Sequence, residues 1–97
     1  MEKSNLILEF ETDLRSKINE MKNKKIHNPS LFLNMANEEG WYEATKKLIS
    51  KPKNTTGFTD LLLKGRTDLS LESLVVQKKY NSLFSNEEIK MCQSRLS

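Results

Sequence analysis

The chain has 97 residues, enough for one domain with a modest core. Hydrophobic residues make up 36% and charged residues 30%, which is rather polar yet stays clear of the low-hydrophobicity extreme of disorder. Sixteen Lys+Arg face thirteen Asp+Glu, a net charge of +3 that is too mild for a basic tail.

Residues 3 to about 25 are predicted as one long helix. Ile7, Phe10, Leu14, Ile18 and Met21 recur at spacings of three and four, so one side is apolar. Glu9, Glu11 and Asp13 sit nearer its start, and Lys17, Lys22, Lys24 and Lys25 nearer its end, which complements the helix dipole. Leu6 and Leu8 fall off the main stripe. A helix apolar beyond one stripe needs a second surface to bury, so these two residues are candidate interaction positions. Glu9 and Glu11 also break any signal-peptide core, and no stretch approaches a membrane span. The expectation is a soluble, cytoplasmic protein.

His27 lies between an apparent helix end and the next cap, and is expected as an exposed linker residue. Asn28 is placed to cap a second helix, Pro29 suits its first position, and Gly40 ends it. Leu31, Phe32, Met35 and Ala36 are its expected buried side. A third helix follows at once and ends near Pro52, with Trp41, Ala44, Leu48 and Ile49 on one face. Trp41 and Tyr42 are candidate contact residues, for a protein partner or for base stacking. Lys46, Lys47, Lys51 and Lys53 are candidate nucleic-acid contacts, and would join Lys22, Lys24 and Lys25 if the first and third helices pack side by side. Only Arg15, Arg66 and Arg95 are arginines, although Arg is the residue on which nucleic-acid readers lean.

The stretch from Lys51 to Gly57 is the clearest loop. Beyond it, Thr55 or Thr56 caps a fourth helix with Phe58, Leu61 and Leu62 on its apolar side, and Gly65 ends it in a left-handed conformation. Ser70 then caps a short fifth helix bearing Leu71, Leu74 and Val75. Arg66 and Asp68 lie in the corner between them, with Glu72 in the next turn. These three are expected to hold a structural hinge, by satisfying free groups at the helix ends or by pairing with one another. The last helix carries Ser85 and Glu88 as a capping box and Phe84 and Ile89 as a hydrophobic staple. Cys92 continues its buried stripe and is expected in the core.

Chemistry is sparsely supplied. One His and one Cys are too few for a structural zinc site, and a lone Cys forms no intrachain disulfide. No G-x-S-x-G, P-loop or H-E-x-x-H pattern occurs. No catalysis, cofactor, metal or small-molecule substrate is expected.

The order of Phe32-Leu33-x-Met35, Glu38-Glu39-Gly40, Glu43-Ala44-x-Lys46-x-Leu48-Ile49, then Gly57-Phe58-x-x-Leu61-x-x-x-Gly65-Arg66-x-Asp68-Leu69-Ser70-x-Glu72-x-Leu74-Val75 and Leu83-Phe84-x-x-Glu87 resembles a small module of uncharacterised bacterial proteins. The resemblance runs from about Leu31 to Leu96, and its most specific part is Gly65 to Glu72. The chain departs from the pattern in lacking an aromatic near Leu62 and in carrying large residues at Trp41 and Tyr42. The resemblance implies a compact all-helical module, found alone or joined to longer chains, with Arg66, Asp68 and Glu72 as its hallmark.

The expected fold is therefore all-α, a compact bundle of five to six helices in one domain. A long N-terminal helix spans 1–27, and a short-helix module spans 28–97. The leading functional reading is a non-catalytic bacterial protein-interaction module that docks on another protein or a copy of itself. The alternative is a Lys-rich nucleic-acid-binding accessory, linked to phage defence.

Overall fold

A computed structural model describes residues 2–51 and 56–96; Pro52, Lys53 and the candidate cap Thr55 lie outside the described residues. Among the described residues the chain is all-helical and compact, with six α-helices and no strand. They are α1 (Glu2–Asn23), α2 (Ser30–Glu39), α3 (Trp41–Ile49), α4 (Thr56–Leu63), α5 (Leu71–Val75) and α6 (Asn86–Leu96), with short 3-10 turns at Thr67–Leu69 and Asn81–Leu83. None of these helices is long and apolar enough to cross a membrane.

The apolar stripe of α1 forms the floor of the core. Phe10, Leu14, Ile18 and Met21 are all buried, and Ile7 packs at the margin. Phe10 is the hub of an aromatic cluster. Its ring meets those of Tyr80, Phe84 and Tyr42 edge-on, at centroid distances of 5.3, 5.5 and 6.4 Å. Such edge-to-face pairs each add about 0.5–1.5 kcal/mol beyond area burial. Tyr80 is fully buried amid Gln77, Lys78, Lys79, Asn81 and Ser82, a polar stretch with no periodicity to announce it. It is held because its hydroxyl donates to the Asp13 carboxylate on α1.

Two helices end in the same backbone motif. At the end of α1, the Ile26 amide donates to the Met21 carbonyl (2.8 Å) and Lys25 to Lys22 (3.2 Å). At the end of α4, Arg66 donates to Leu61 (2.8 Å) and Gly65 to Leu62 (3.1 Å). Both are Schellman closures, whose penultimate residue must turn left-handed. Gly65 does so at φ +69°, without the Cβ that makes the region costly; Lys25 does so at φ +56° with a full side chain.

Between α2 and α3 a single residue, Gly40, makes the corner at φ 95° and ψ 155°, a region open essentially to Gly alone. The start of α2 falls one residue later than expected. Pro29 occupies the cap position, and no side chain, that of Asn28 included, caps the helix. At the other well-marked starts the expected side chains do the work. Ser70 Oγ accepts from the Ser73 amide (3.1 Å). Ser85 and Glu88 bond each other's amides reciprocally (3.1 and 2.8 Å), with Phe84 buried and Ile89 packed beside the core.

Two leucines depart from their expected burial. Leu31 is 61% exposed, because α2 buries only the narrow face of Phe32 and Ala36 and Leu31 lies in its uncovered first turn. Leu62 is 50% exposed and Leu63 81%, because α4 turns Phe58 and Leu61 inward and leaves its other side open.

Candidate functional site

The expected hinge residues divide between two places. Arg66 Nη2 lies 2.8 Å from Glu20 Oε2 on α1, and its Nε lies 3.1 Å from Asp68 Oδ1. Lys17 of α1 and the Ser73 hydroxyl both donate to the Asp68 carbonyl. This corner therefore clamps the α4–α5 connection to α1. It does not cap the helix ends, since the backbone closes α4 and Ser70 caps α5. The guanidinium of Arg66 holds the carboxyls of Glu20 and Asp68 below their ordinary values.

Glu72 belongs elsewhere. The first turn of α5 points it inward, where Arg95 Nη1 of α6 donates to its Oε2 at 3.1 Å. A second nitrogen of Arg95 donates to the Lys51 carbonyl. Burial pushes the Glu72 carboxyl above its ordinary 4.5, against the pull of Arg95. Cys92 sits beside this pair, fully buried, its thiol pushed up to about 12 by burial and by Glu72. A thiol so protonated is a core group and a poor nucleophile.

The proposed contact residues also separate. Leu8 is 62% exposed, whereas Leu6 packs against the core. Trp41 is half-buried with its ring edge-on to Phe32 at 5.5 Å, and the Arg15 guanidinium covers it at 5.1 Å. The Tyr42 hydroxyl donates to the Leu83 carbonyl. Both rings are thus committed within the domain, which leaves them poor platforms for stacking bases. Lys46 lies 5.4 Å over the Tyr42 ring and Lys47 pairs with Glu39. Lys51 is exposed, and Lys53 lies outside the described residues. At the end of α1, Lys24 pairs with Glu20, and Lys22 and Lys25 join a different surface.

That surface is assembled from residues far apart in the chain. His27 is not an exposed linker residue: its side chain retains 18% exposure and its Nδ1 lies 2.8 Å from Asp60 Oδ2 on α4. The His27 contact holds the Asp60 carboxyl below its ordinary value, assisted by Lys64 at 3.3 Å. An ionised carboxylate only accepts, so Nδ1 carries the proton of this bond. Lys64 also donates to the Ile26 carbonyl, which ties α4 to the loop after α1. The ring of His27 lies close against Gly57, where a Cβ would stand 3.1 Å from Nε2.

His27 divides two clefts. On one side Lys22, Lys25, Asn28, Asp60 and Lys64 line an open basic mouth. On the other a largely apolar trough runs between Pro29, Phe58, Leu61 and Leu71. His27 and Asp60 are 33 residues apart, so no local pattern announces them. The one legible hint is Lys25, a lysine at the helix-ending position where Gly or Asn is usual. The hydroxyl lining the trough is Ser70, already engaged with the Thr67 carbonyl and the Ser73 amide. Among the described residues, no group of three His, Cys, Asp or Glu is placed to hold a metal ion.

No protein-family model, no curated protein and no solved structure matches this chain.

Proposed function

We propose that this chain is a non-catalytic protein-interaction module, of the bacterial kind its pattern resembles, that docks through the face carried by α4. The observation that carries the reading is the adjacent pair Leu62 and Leu63, 50% and 81% exposed on a helix of eight residues. A single exposed leucine is ordinary, but two in succession on so short a helix mark a surface that gains by being covered. The same helix contributes Asp60 and Lys64 to the cleft beside His27, so one element presents both apolar and polar contacts. The non-catalytic reading is favoured by the use of two candidate nucleophiles, Ser70 in a cap and Cys92 in the core. A nucleic-acid accessory built on Lys46 and Lys47 draws less support, since both already have partners within the chain.

A photo-cross-linking residue placed at Leu63 tests the reading in cells. One recurrent protein adduct is expected there, and none from the same probe at exposed Lys90 on α6. Equal labelling at both positions would overturn it. Sedimentation of the wild type and of Leu8→Glu asks whether that adduct is a second copy. Leu8 is the suitable position, because Leu6→Glu would place a charge against the core.

A further inference from the structure

We propose that the paired clefts around His27 form a binding site for an acidic peptide segment of a partner protein. An apolar side chain of that segment enters the trough beside Phe58 and Leu71, and its neighbouring carboxylates meet Lys22 and Lys25. The proposal rests on the protein-interaction reading and names the chemistry of the partner.

Charge sets the sign of the ligand. At the mouth, Lys22, Lys25 and Lys64 face a single carboxylate, Asp60, which is already shared between His27 and Lys64, and the Glu72 carboxylate that lines the trough is taken up by Arg95. Lys64 is itself bound to Asp60 and to the Ile26 carbonyl. Among the described residues, Lys22 and Lys25 make no ion pair, so two cations stand open at the mouth of the cleft. An acidic group arriving there is steered and held by complementary charge.

The trough sets the other half of the ligand. It adjoins the basic mouth through the His27 ring, and its walls are mainly apolar. A ligand spanning both therefore needs an apolar group next to an anionic one, as an acidic peptide with one apolar side chain set partly into the trough provides.

The backbone gives an independent sign that the side chain of Lys25 matters. Lys25 occupies the left-handed position of a motif that α4 closes with Gly65. Glycine would fill it at less conformational cost. Favouring the helix dipole does not explain the choice, since Lys22 already stands in the last turn. A lysine at a left-handed position beside an open basic mouth fits a contact residue.

The test titrates the whole ¹⁵N-labelled chain with an acetylated pentapeptide of four aspartates around a central leucine. Saturable amide shifts are expected at Lys22, Lys25, His27, Gly57 and Leu61. The peptide with serine for leucine, and the peptide with lysines for aspartates, should each bind weaker by about tenfold or more. Lys22→Glu with Lys25→Glu should do the same to the acidic peptide. Lys25→Gly should raise the melting temperature while weakening binding, so a loss of affinity there does not reflect misfolding. No shifts at millimolar peptide would overturn the proposal, as would a Lys25→Gly chain that is more stable yet binds as well as the wild type. Self-association that disappears in the Lys22→Glu/Lys25→Glu chain, with no peptide binding, would assign the cleft to a second copy and also overturn it. The Leu63 cross-link is read separately. If it persists while the peptide leaves the cleft silent, the acidic-segment proposal falls and the docking-module reading stands.

Discussion

Arg66 and Arg95 each reach a glutamate on another helix, but one does so in water and the other without it. The Arg66–Glu20 bond is the shorter, 2.8 Å against 3.1 Å for Arg95–Glu72. Length is nevertheless a poor guide to what each contributes. The side chains of Arg66 and Glu20 keep 31% and 38% of their exposure, and those of Arg95 and Glu72 only 7% and 4%. At the open joint, water competes for both charges and salt screens them. At the closed joint, each charge has lost its water and depends on the other. The pair gains little over an apolar filling of the same space, yet breaking it from one side leaves a buried charge alone. The open joint is thus tolerant, and the closed joint is where the fold is vulnerable.

The largest expected effect follows from that dependence. Arg95→Ala should destabilise the chain by about 3–5 kcal/mol, because it strands the Glu72 carboxylate in the core. The variant also loses the bond from Arg95 to the Lys51 carbonyl. Urea melts of the wild type and the variant measure the difference. A loss no larger than that of a surface substitution would mean that water reaches Glu72 and that the two joints are alike.

The pH dependence sharpens the same contrast, with opposite signs at the two joints. The Glu72 carboxyl is pushed above its ordinary 4.5 by burial, so folding favours its protonated form. Its contribution is greatest in acid and declines as pH rises from about 4.5 through the raised folded value. The carboxyls of Glu20 and Asp68 are lowered, chiefly by their bonds to Arg66. Their contribution is present above their ordinary values and is lost as pH falls through the lowered ones. Glu72→Gln mimics the protonated acid. The wild type should therefore lose ground to this variant as pH rises from 4.5, measured by melts at a series of pH values. If the wild type gains ground instead, Arg95 outweighs burial.

These joints also show what the sequence could and could not disclose. The caps at Ser70, Ser85 and Glu88, the turn at Gly65 and the stripe of α1 rest on residues a few positions apart, and they hold. Arg66 and Asp68 were legible as a joint for the same reason. Glu20, the third member, is 46 residues from Arg66 and carries no mark of its own. Glu72 lies near Asp68 in the chain and reads as part of that joint, yet it belongs to the other. Its direction is set by α5, which turns it toward a helix 23 residues away. His27 misled in the same way. A histidine between a helix end and a proline has the look of a linker, and only the approach of α4 covers it. Capping and periodicity are local physics, whereas the candidate cleft is made by tertiary neighbours.

Tyr80 offers an intermediate case. Its ring is fully buried, but the Asp13 carboxylate that accepts its hydrogen bond is only half-buried. Burial, with Asp13 adding to it, pushes the phenol up to about 12, so it remains a donor across the physiological range. Tyr80→Phe keeps the ring and removes the bond. A hydrogen bond to a charged group contributes about 1.5–3 kcal/mol. The loss should fall between those of Arg95→Ala and Arg66→Ala, because Asp13 can recover some water when its partner goes. A cost equal to that of Arg95→Ala would place Asp13 in the same dry class as Glu72.

The smallest effect is expected at Arg66, although it has two carboxylate partners and the more conspicuous sequence context. Arg66→Ala frees Glu20 and Asp68 into solvent that already reaches them, so neither is stranded. Glu20 keeps Lys24 at 3.4 Å, and the Asp68 carbonyl keeps its bonds from Lys17 and Ser73. Salt separates this joint from the closed one. At ~1 M ionic strength the screening length shrinks to about 3 Å, comparable with the bond itself. The difference between the wild type and Arg66→Ala should therefore narrow from low to high salt, while that between the wild type and Arg95→Ala should not. A cycle with Asp68→Ala and the double variant measures the coupling directly. Weak, salt-sensitive coupling fits a surface clamp that steadies the approach of α4 and α5 to α1. Strong coupling that ignores salt would mean that the corner closes over Arg66 in solution, and would make the two joints equivalent.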